Sequence, residues 1–394
     1  MAEPLSIDEA RARVLATARP LPAQDVALAE ALGRVLSEDV LAAGDVPPFA
    51  GSAMDGFAVR SGPSRRALRI VGESRAGMPA QAAVGEGEAV RISTGAAMPE
   101  GADAVLQLEL AEDRGDSVLL QDEVEPGRNV RRAGEDLRAG EVALRAGTRL
   151  GPAEVGVAAS AGRAEVRCAR RPRVAVLATG DELAEPGAPL GPGQIHDSNL
   201  LTLSALATRA GAEVAFSEHV RDDAGATRDA VARALETADV LICSGGVSVG
   251  PHDHVKDALA ASGVEEVFWR VALRPGGPTW FGARGERLVF GLPGNPVSAM
   301  VTFALFARPA LHALEGDAQA APARSRARLA DRAQRRRERD ECLRVRVDDE
   351  GWAHLTGPQG SHQLTSMLAA DALAIVPRGE GALERGAEVE IERI

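Results

Sequence analysis

The stretch DVLICSGG, residues 239–246, decides the fold class of this chain. Its uninterrupted apolar residues end in two glycines, which is typical of a buried strand that runs into a turn. Similar runs occur at 173–180 (RVAVLATG) and 287–295 (RLVFGLPGN), and helical patterns separate or follow them at 197–211, 222–238 and 296–314. Buried strands that alternate with capped helices predict a three-layer α/β/α domain with a mainly parallel sheet over residues 171–317.

The remainder of the chain has a different texture. Residues 45–138 contain short apolar runs between Gly and Pro, which predict a β-rich inserted domain. Residues 1–44 and 139–170 flank it and predict an N-terminal domain that opens with a helix, capped by Ser6 and Glu9. Residues 318–394 alternate in polarity and predict a small C-terminal β-barrel, with the charged stretch at 323–341 interpreted as an exposed linker or edge strand.

Composition excludes several classes of function. The net charge of −12 and an aromatic content of 3% disfavour nucleic acid as a partner, because phosphate backbones need basic surfaces and bases need aromatic platforms. Three distant cysteines (Cys168, Cys243 and Cys342) support neither a disulfide framework nor a metal site, and they suggest a reduced, cytoplasmic compartment. We expect no signal peptide and no membrane span, since no apolar run approaches the required length of about 18 residues.

Three glycine-containing turns follow predicted strands, at 178–183 (ATGDEL), 244–250 (SGGVSVG) and 291–298 (GLPGNPVS). A single such turn is commonly only a turn, and none matches a Rossmann or P-loop pattern. Three of them in one domain favour a binding edge, because glycines let backbone amides approach an anion and helix N-termini add positive potential. The sequence therefore predicts an anion-binding site at the carboxyl ends of the strands.

Carboxylates cluster near these turns, at Asp181, Glu182, Asp222, Asp223 and Asp253. Acids beside a phosphate site suggest Mg²⁺, which bridges carboxylate and phosphate oxygens. The alternative is that some are only helix caps, with Asp223 the clearest example. A zinc site at residues 252–254 is disfavoured, because adjacent residues on an extended chain point to opposite faces.

Ten motifs in one order give the chain a specific family resemblance. They are SAMDGFAV (52–59), ISTGAAMPEGADAV (92–105), NVRRAGEDL (129–137), AGTRL (146–150), VAVLATGDEL (174–183), IHDSN (195–199), SGGVSVG (244–250), LRPGGP (273–278), GLPGNPVSA (291–299) and QGSH (359–362). Together they resemble the molybdopterin molybdenumtransferase family of the MoeA type, which includes the E domain of gephyrin. The resemblance covers nearly the whole chain.

This resemblance implies the final step of molybdenum cofactor biosynthesis. Adenylylated molybdopterin and molybdate would bind, the pyrophosphate bond would be cleaved with Mg²⁺, AMP would leave, and the dithiolene sulfurs would bind molybdenum. It also implies an elongated, four-part homodimer in the cytoplasm, in which residues 1–44 and 139–170 dimerise. Each cleft would lie between the α/β domain of one subunit and the β-rich domain of the other, and the upstream adenylyltransferase would be a further partner.

The resemblance implies roles for individual residues. The catalytic positions it implies are Asp55, Thr94, Asp136, Glu182, Asp222, Asp253 and Lys256. The metal-binding positions it implies are Asp181, Glu182, Asp222 and Asp253. The positions it implies for binding the pterin nucleotide or molybdate are Thr179, Gly180, Ser244, Gly245, Gly246, Ser248, Gly250, Arg270, Arg274, Pro278, Pro293, Gly294, Asn295, Ser298, Arg344, Ser361 and Ser366.

The basic residues depart from the family pattern. Lys256 is the only lysine in the chain, and the resemblance implies that its ammonium faces a phosphate. The family often has lysines where this chain has Arg270, Arg274 and Gly277. Two alternatives therefore stay open: a scaffold that binds molybdopterin or molybdate without turnover, and the related adenylyltransferase. The second is disfavoured because that enzyme lacks the N-terminal β-rich half.

Overall fold

The computed structural model describes residues 3–246 and 254–394. Its α-helices are α1 (Ile7–Thr17), α2 (Pro152–Ser160), α3 (Asn199–Arg209), α4 (Ala224–Thr237), α5 (His254–Ala261), α6 (Pro296–Thr302) and α7 (Arg308–Leu314). The strands of the N-terminal half are β1 (Ala23–Ala27), β2 (Val40–Leu41), β3 (Gly51–Ser52), β4 (Gly56–Val59), β5 (Ala67–Ser74), β6 (Glu88–Ile92), β7 (Ala104–Gln107), β8 (Ala111–Asp113), β9 (Ser117–Leu120), β10 (Val130–Arg131), β11 (Val142–Leu144) and β12 (Glu165–Ala169).

The remaining strands belong to the central and C-terminal parts of the chain. They are β13 (Arg173–Thr179), β14 (Leu183–Ala184), β15 (Ile195–His196), β16 (Glu213–Val220), β17 (Val240–Ser244), β18 (Glu265–Trp269), β19 (Leu273–Arg274), β20 (Trp280–Arg284), β21 (Arg287–Leu292), β22 (Ser325–Leu329), β23 (Ala333–Gln334), β24 (Asp340–Val347), β25 (Trp352–Leu355), β26 (Ala372–Val376), β27 (Ala382–Leu383) and β28 (Glu388–Arg393).

The central sheet is mainly parallel, as predicted. Its strand order is β16-β13-β17-β21-β20-β18; the first four strands are parallel, and β20 is antiparallel to both of its neighbours. Successive residues of β17 face opposite sides: Ile242 packs in the core with α3, α6 and α7, and Leu241 packs in the core with α4 and α5. Because both faces are covered by helices, the strand is apolar at every position, and the predicted three-layer α/β/α domain is confirmed.

The N-terminal half contains a six-stranded sheet in the order β7-β4-β6-β5-β9-β8, in which only β5 and β6 pair in parallel. Two small pairs, β1 with β12 and β2 with β11, share a separate core with α2. Helix α1 begins with the predicted capping box, since Ser6 Oγ accepts from Glu9 N at 3.2 Å and Glu9 Oε2 accepts from Ser6 N at 2.8 Å. Its apolar face packs in the same core as α7.

The C-terminal region forms the predicted barrel. Strands β24, β25, β22, β28 and β26 pair in that order, and β26 pairs back with β24, which closes the barrel. The interpretation of residues 323–341 as an exposed linker or edge strand is wrong, because β22 lies inside the ring between β25 and β28. Ala327 and Leu329 are buried in the barrel core, while Arg326 and Arg328 face out. These arginines made a short alternating strand resemble a charged linker in the sequence.

One continuous helix spans Pro296–Leu314, which confirms the helical pattern predicted at 296–314. The expectation that no apolar run approaches about 18 residues is wrong for this helix. Its middle turn, Phe303–Ala307, is a π-helix that joins α6 to α7. Its 19 residues and hydropathy of 1.4 would suffice to cross a membrane by length and composition alone. Of that apolar window, however, 78% is buried inside the protein, which is the pattern of a core helix.

Candidate active site

The predicted glycine turns meet at one edge of the central sheet. Ala178 of β13 pairs with Ser244 of β17, and Ser244 pairs with Leu292 of β21, so the three strands end at the same level. The residues that follow them form adjacent turns, and Gly245 N donates to Leu292 O at 3.1 Å. Parallel pairing thus places the three turns side by side, as ligand sites in open α/β sheets require.

Gly245 and Gly246 both have backbone conformations that favour glycine, with φ of +86° and +65°. A Cβ on Gly245 would lie 2.9 Å from Thr179 O, and one on Gly246 would lie 2.5 Å from Val255 Cγ2. The turn is therefore compressed between β13 and α5, and a larger residue would displace it. This close packing fixes the position of the turn between β13 and α5.

Several buried polar atoms at this edge have no partner within the described residues. Asn199 Nδ2 donates to Ser244 Oγ at 2.8 Å and to Gly294 O at 2.6 Å, but its Oδ1 has no donor. Asp197 Oδ1 caps α3, whereas its Oδ2 is unpartnered, as is Thr179 Oγ1. Because buried polar groups are normally hydrogen-bonded, these atoms point to a polar ligand.

A cleft of about 570 Å³, which we call the sheet-edge cleft, opens above these turns. Of the residues implied by the sequence, those that line it are Glu182, Gly245, Gly246, Pro278, Pro293, Gly294 and Asn295. Ser244 directly precedes Gly245 in the chain, and Thr179 and Gly180 lie within three residues of Glu182. Beneath it, burial raises the pKa of the Cys243 thiol to about 12, so this cysteine stays protonated and takes no part as a nucleophile.

Two of the four implied metal-binding acids, Asp181 and Asp222, lie side by side, and Asp181 directly precedes the cleft-lining Glu182. Asp181 N donates to Asp222 Oδ2 at 3.4 Å, and Asp222 N donates to Asp181 Oδ1 at 3.2 Å. The neighbouring Asp223 is the N-cap of α4, as the structural alternative predicted. Within residues 3–246 and 254–394, no group of three or more His, Cys, Asp or Glu side chains forms a ready metal site.

The barrel contributes a buried cation. The Arg344 side chain is fully buried; its Nε donates to Ser366 Oγ at 3.1 Å and its Nη2 donates to Pro358 O at 3.0 Å. Its Nη1 has no partner in the described part of the chain, and burial lowers the pKa of this guanidinium. Ser361 joins the barrel to the sheet edge, because its Oγ accepts from Asn295 Nδ2 at 3.0 Å.

The other two implied arginines have different settings. Arg274 is 45% exposed and pairs with Glu341 at 3.0 Å, so its charge is already partly neutralised. Arg270 has a left-handed backbone (φ +76°), and its guanidinium lies 4.4 Å from the centre of the Trp269 ring. Lys256 Nζ lies 3.5 Å from the same ring. Ser298 is buried in α6, where its carbonyl accepts from Thr302 Oγ1.

A second cleft, of about 470 Å³, lies in the N-terminal half and is lined by one implied residue, Asp136. Asp136 lines it together with Arg131, Glu135 and Gly95. Immediately beside Gly95, Asp55 Oδ1 accepts from Thr94 N at 2.7 Å and from Thr94 Oγ1 at 3.1 Å. This cleft and the one at the central sheet share no lining residue, so within one chain the implied catalytic residues form two groups.

Three implied residues, Ser248, Gly250 and Asp253, lie outside the described residues. Conversely, the individual residue assignments missed eight residues that line the sheet-edge cleft, among them the polar residues His196, Asp197, Asn199 and His362. Their signal was available, because IHDSN and QGSH are among the ten ordered motifs. It was not recognised because their roles depend on contacts with distant strands, such as that of Asn199 with Ser244 and Gly294.

Comparison with protein families assigns all three parts of the chain. Residues 5–162 match the MoeA N-terminal region (domain I and II), residues 175–313 match a probable molybdopterin binding domain, and residues 326–394 match the MoeA C-terminal region (domain IV). The cleft residues of the sheet edge fall mainly in the second match, and Arg344 falls in the third.

Individual relatives agree over the full length. The molybdopterin molybdenumtransferase of Haemophilus influenzae is 37% identical over 98% of both chains, and molybdopterin molybdenumtransferase 2 of Mycobacterium tuberculosis is 36% identical over 96% of both. A crystal structure of the molybdopterin biosynthesis MoeA protein from Pyrococcus horikoshii superposes with a TM-score of 0.86 at 30% identity, covering 100% of both chains. The chain belongs to the molybdopterin molybdenumtransferase (MoeA) family.

Proposed function

We propose that this protein is a transferase that inserts molybdenum from molybdate into adenylylated molybdopterin and releases AMP, the final step of molybdenum cofactor biosynthesis. The observation that carries the proposal is the sheet-edge cleft, which lies mainly in the part of the chain that matches a molybdopterin binding domain. Asp197 Oδ2 and Asn199 Oδ1, which line it, and the nearby Thr179 Oγ1 have no partner within residues 3–246 and 254–394. Relatives named for this transferase activity match the whole chain.

The glycine turns would bind the anionic part of the nucleotide substrate. The Gly245 N–H already donates to Leu292 O, so the backbone amides of Gly246 and Gly294 would be the ones that meet the phosphate oxygens. Thr179 and Asn199 would contribute polar contacts that hold the ligand in one orientation. Binding of this kind orients the pyrophosphate bond for cleavage and supplies part of the rate enhancement.

Mg²⁺ fits the paired carboxylates of Asp181 and Asp222, next to the cleft-lining Glu182. Asp181 and Asp222 would hold it, because Mg²⁺ typically uses one or two carboxylates and completes its shell with water and substrate phosphates. Glu182 lines the same cleft and could orient or deprotonate water from its side. When bound, the ion would neutralise charge on the phosphate oxygens.

Molybdate, the second substrate, would bind near the barrel. Arg344 Nη1 has no partner among the residues that the structure describes, and a guanidinium matches the geometry of an oxyanion. Ser361 lies in the same loop as His362, which lines the cleft. Arg274 is less available because of its ion pair with Glu341, which makes the absence of a lysine at position 277 consequential.

The two groups of catalytic residues lead to a proposed homodimer in the cytoplasm. Asp55, Thr94 and Asp136 of one subunit would complete the sheet-edge cleft of the other, with residues 1–44 and 139–170 at the dimer interface. The upstream adenylyltransferase, which makes the nucleotide substrate, would be a transient partner. We also propose the four domains derived from the sequence, which are 1–44 with 139–170, 45–138, 171–317 and 318–394.

Subunit mixing tests this arrangement. We expect Asp136→Asn and Glu182→Gln homodimers to be inactive and a refolded or co-expressed mixture to regain about one quarter of wild-type AMP release, because half the dimers would carry one intact cleft. Each variant alone serves as the control, and light scattering reports the dimer. A mixture as inactive as its parents, while still dimeric, would show that each cleft uses residues of one subunit only.

The activity itself is tested by AMP release. The purified protein, incubated with adenylylated molybdopterin, Mg²⁺ and molybdate, should release AMP and produce molybdenum cofactor that activates an apo-molybdoenzyme. The scaffold alternative is favoured by one observation, the pairing of Arg274 with Glu341 where a molybdate contact is expected. Tight nucleotide binding without AMP release would support that scaffold and contradict the transferase.

A further inference from the structure

We propose that Trp269 is a positioning residue that holds Lys256 and Arg270 together as a paired cation site for the phosphates of the nucleotide substrate. The inference deepens the proposed function and rests on it. It concerns a side chain that no sequence motif singled out. The observations that carry it are the position of Trp269 in the sheet and the two cations against its ring.

Trp269 ends β18 at the same level as the glycine turns. It pairs with Trp280, Trp280 pairs with Gly291, and Gly291 pairs with Cys243, so one row crosses the sheet from its edge to β17. Since β18 and β21 are both antiparallel to β20, they run in the same direction, and their carboxyl ends share one edge. The residue after Trp269 therefore emerges at the same edge of the sheet as the sheet-edge cleft.

Arg270 is held in place at this edge. The Arg270 N–H donates to Thr279 O at 2.9 Å. Pro278, the residue before Thr279, lines the sheet-edge cleft. Its φ of +76° is uncommon for a residue with a side chain, and such conformations persist when the surroundings enforce them and often mark functional sites. The backbone thus directs Arg270 out of the strand and over its own neighbour, Trp269.

Both cations contact the same indole. Lys256 Nζ lies 3.5 Å and the Arg270 guanidinium carbon 4.4 Å from the ring centre, both within the range of cation–π attraction. Two positive groups that share one ring repel each other, and the electron-rich face of the ring offsets part of that repulsion. A phosphate that reaches this point would interact favourably with both charges.

The ring also restricts two flexible side chains. Lysine and arginine lose considerable rotamer freedom when they are ordered, and a ring that orders them before binding reduces that loss for the ligand. Trp269 itself is half-buried and its Nε1 is buried without a partner in the described part of the chain. Lys256 and Arg270 contact the flat face of the ring and not its Nε1. Loss of the ring should therefore weaken binding more than chemistry.

The test compares Trp269→Leu with Trp269→Phe, because leucine removes the π face and phenylalanine keeps a weaker one. We expect Trp269→Leu to raise the Kd and KM for adenylylated molybdopterin roughly 10-fold with kcat within about 2-fold of wild type, and Trp269→Phe to stay within about 3-fold in all three. In a Lys256→Gln background, the effect of Trp269→Leu should shrink, since one of its two partners is gone.

Trp352→Leu is the matched control, because Arg328 and Arg385 lie against that ring in the barrel, at 4.7 and 5.5 Å. It should bind the nucleotide like wild type. Unchanged binding in Trp269→Leu, or an equal loss in Trp269→Phe, would overturn the proposal. Kd is measured without molybdate, so a wild-type protein that binds nucleotide but releases no AMP would contradict only the proposed function. One that binds no nucleotide would contradict both.

Discussion

Replacing Asp136 by asparagine is expected to reduce AMP release by about 10²–10⁴-fold, the usual contribution of a placed acid or base. The substitution keeps the shape of the side chain and removes its charge. Asp136 lines the second cleft beside Arg131, away from the glycine turns, so the Kd for adenylylated molybdopterin should change little. Single-turnover AMP release and equilibrium binding, measured on the same preparation, separate the two effects.

Asp116→Asn is the control for this loss, because Asp116 is an exposed aspartate in the same N-terminal half and does not line the cleft. It should release AMP at the wild-type rate. If Asp136→Asn were equally active, this carboxylate would have only a structural role. A large rise in Kd with an unchanged single-turnover rate would instead place Asp136 in substrate binding.

Replacing Glu392 by alanine is expected to lower the free energy of unfolding by about 3–5 kcal/mol, the typical effect of removing one partner of a buried ion pair. Glu392 is fully buried in β28, where Oε2 lies 2.5 Å from Arg11 Nη2 and Oε1 lies 3.5 Å from Arg308 Nη2. Burial lowers the pKa of Arg308, and Glu392 partly offsets that effect. Without the carboxylate, these guanidinium groups would lose their counter-charge.

The same strand provides a control for this prediction. Glu388 pairs with Arg326 at 3.3 Å, and both side chains are largely exposed, so Glu388→Ala should leave stability unchanged. Urea denaturation followed by circular dichroism compares the two variants. Equal stability for Glu392→Ala and Glu388→Ala would mean that packing alone joins α1 and α7 to the barrel. Glu392→Ala is also expected to expose the α1–barrel contact to proteolysis first.

Local patterns in the sequence were sufficient for much of the fold. The capping box at Ser6 and Glu9 forms as predicted because both partners lie within one turn of helix. The apolar runs that end at Thr179, Ser244 and Leu292 become parallel neighbours, because only a sheet covered on both faces buries such runs completely. By contrast, β22 was missed, since arginines alternating with Ala327 and Leu329 resemble a charged linker.

The site was only partly accessible to sequence reasoning. The glycine turns could be found from their position after apolar strands, and eight of the residues implied by the family resemblance line one of the two clefts. Asn199 and Asp197 were overlooked because their unpartnered oxygens become apparent only when α3 packs against β17 and β21. The burial of Arg344 likewise depends on the loop at 358–366, which no local pattern predicts.

The sequence by itself determined the alternation of strands and helices in the α/β domain, the glycine turns and the family of this protein, because these depend on residue patterns within short segments. Tertiary structure alone decided which turns became neighbours, which polar atoms of the described residues are buried without a partner there, and that Lys256 and Arg270 both contact Trp269. Those outcomes depend on contacts between residues far apart in the chain, and their energies are set by burial and mutual distance, which residue order does not contain.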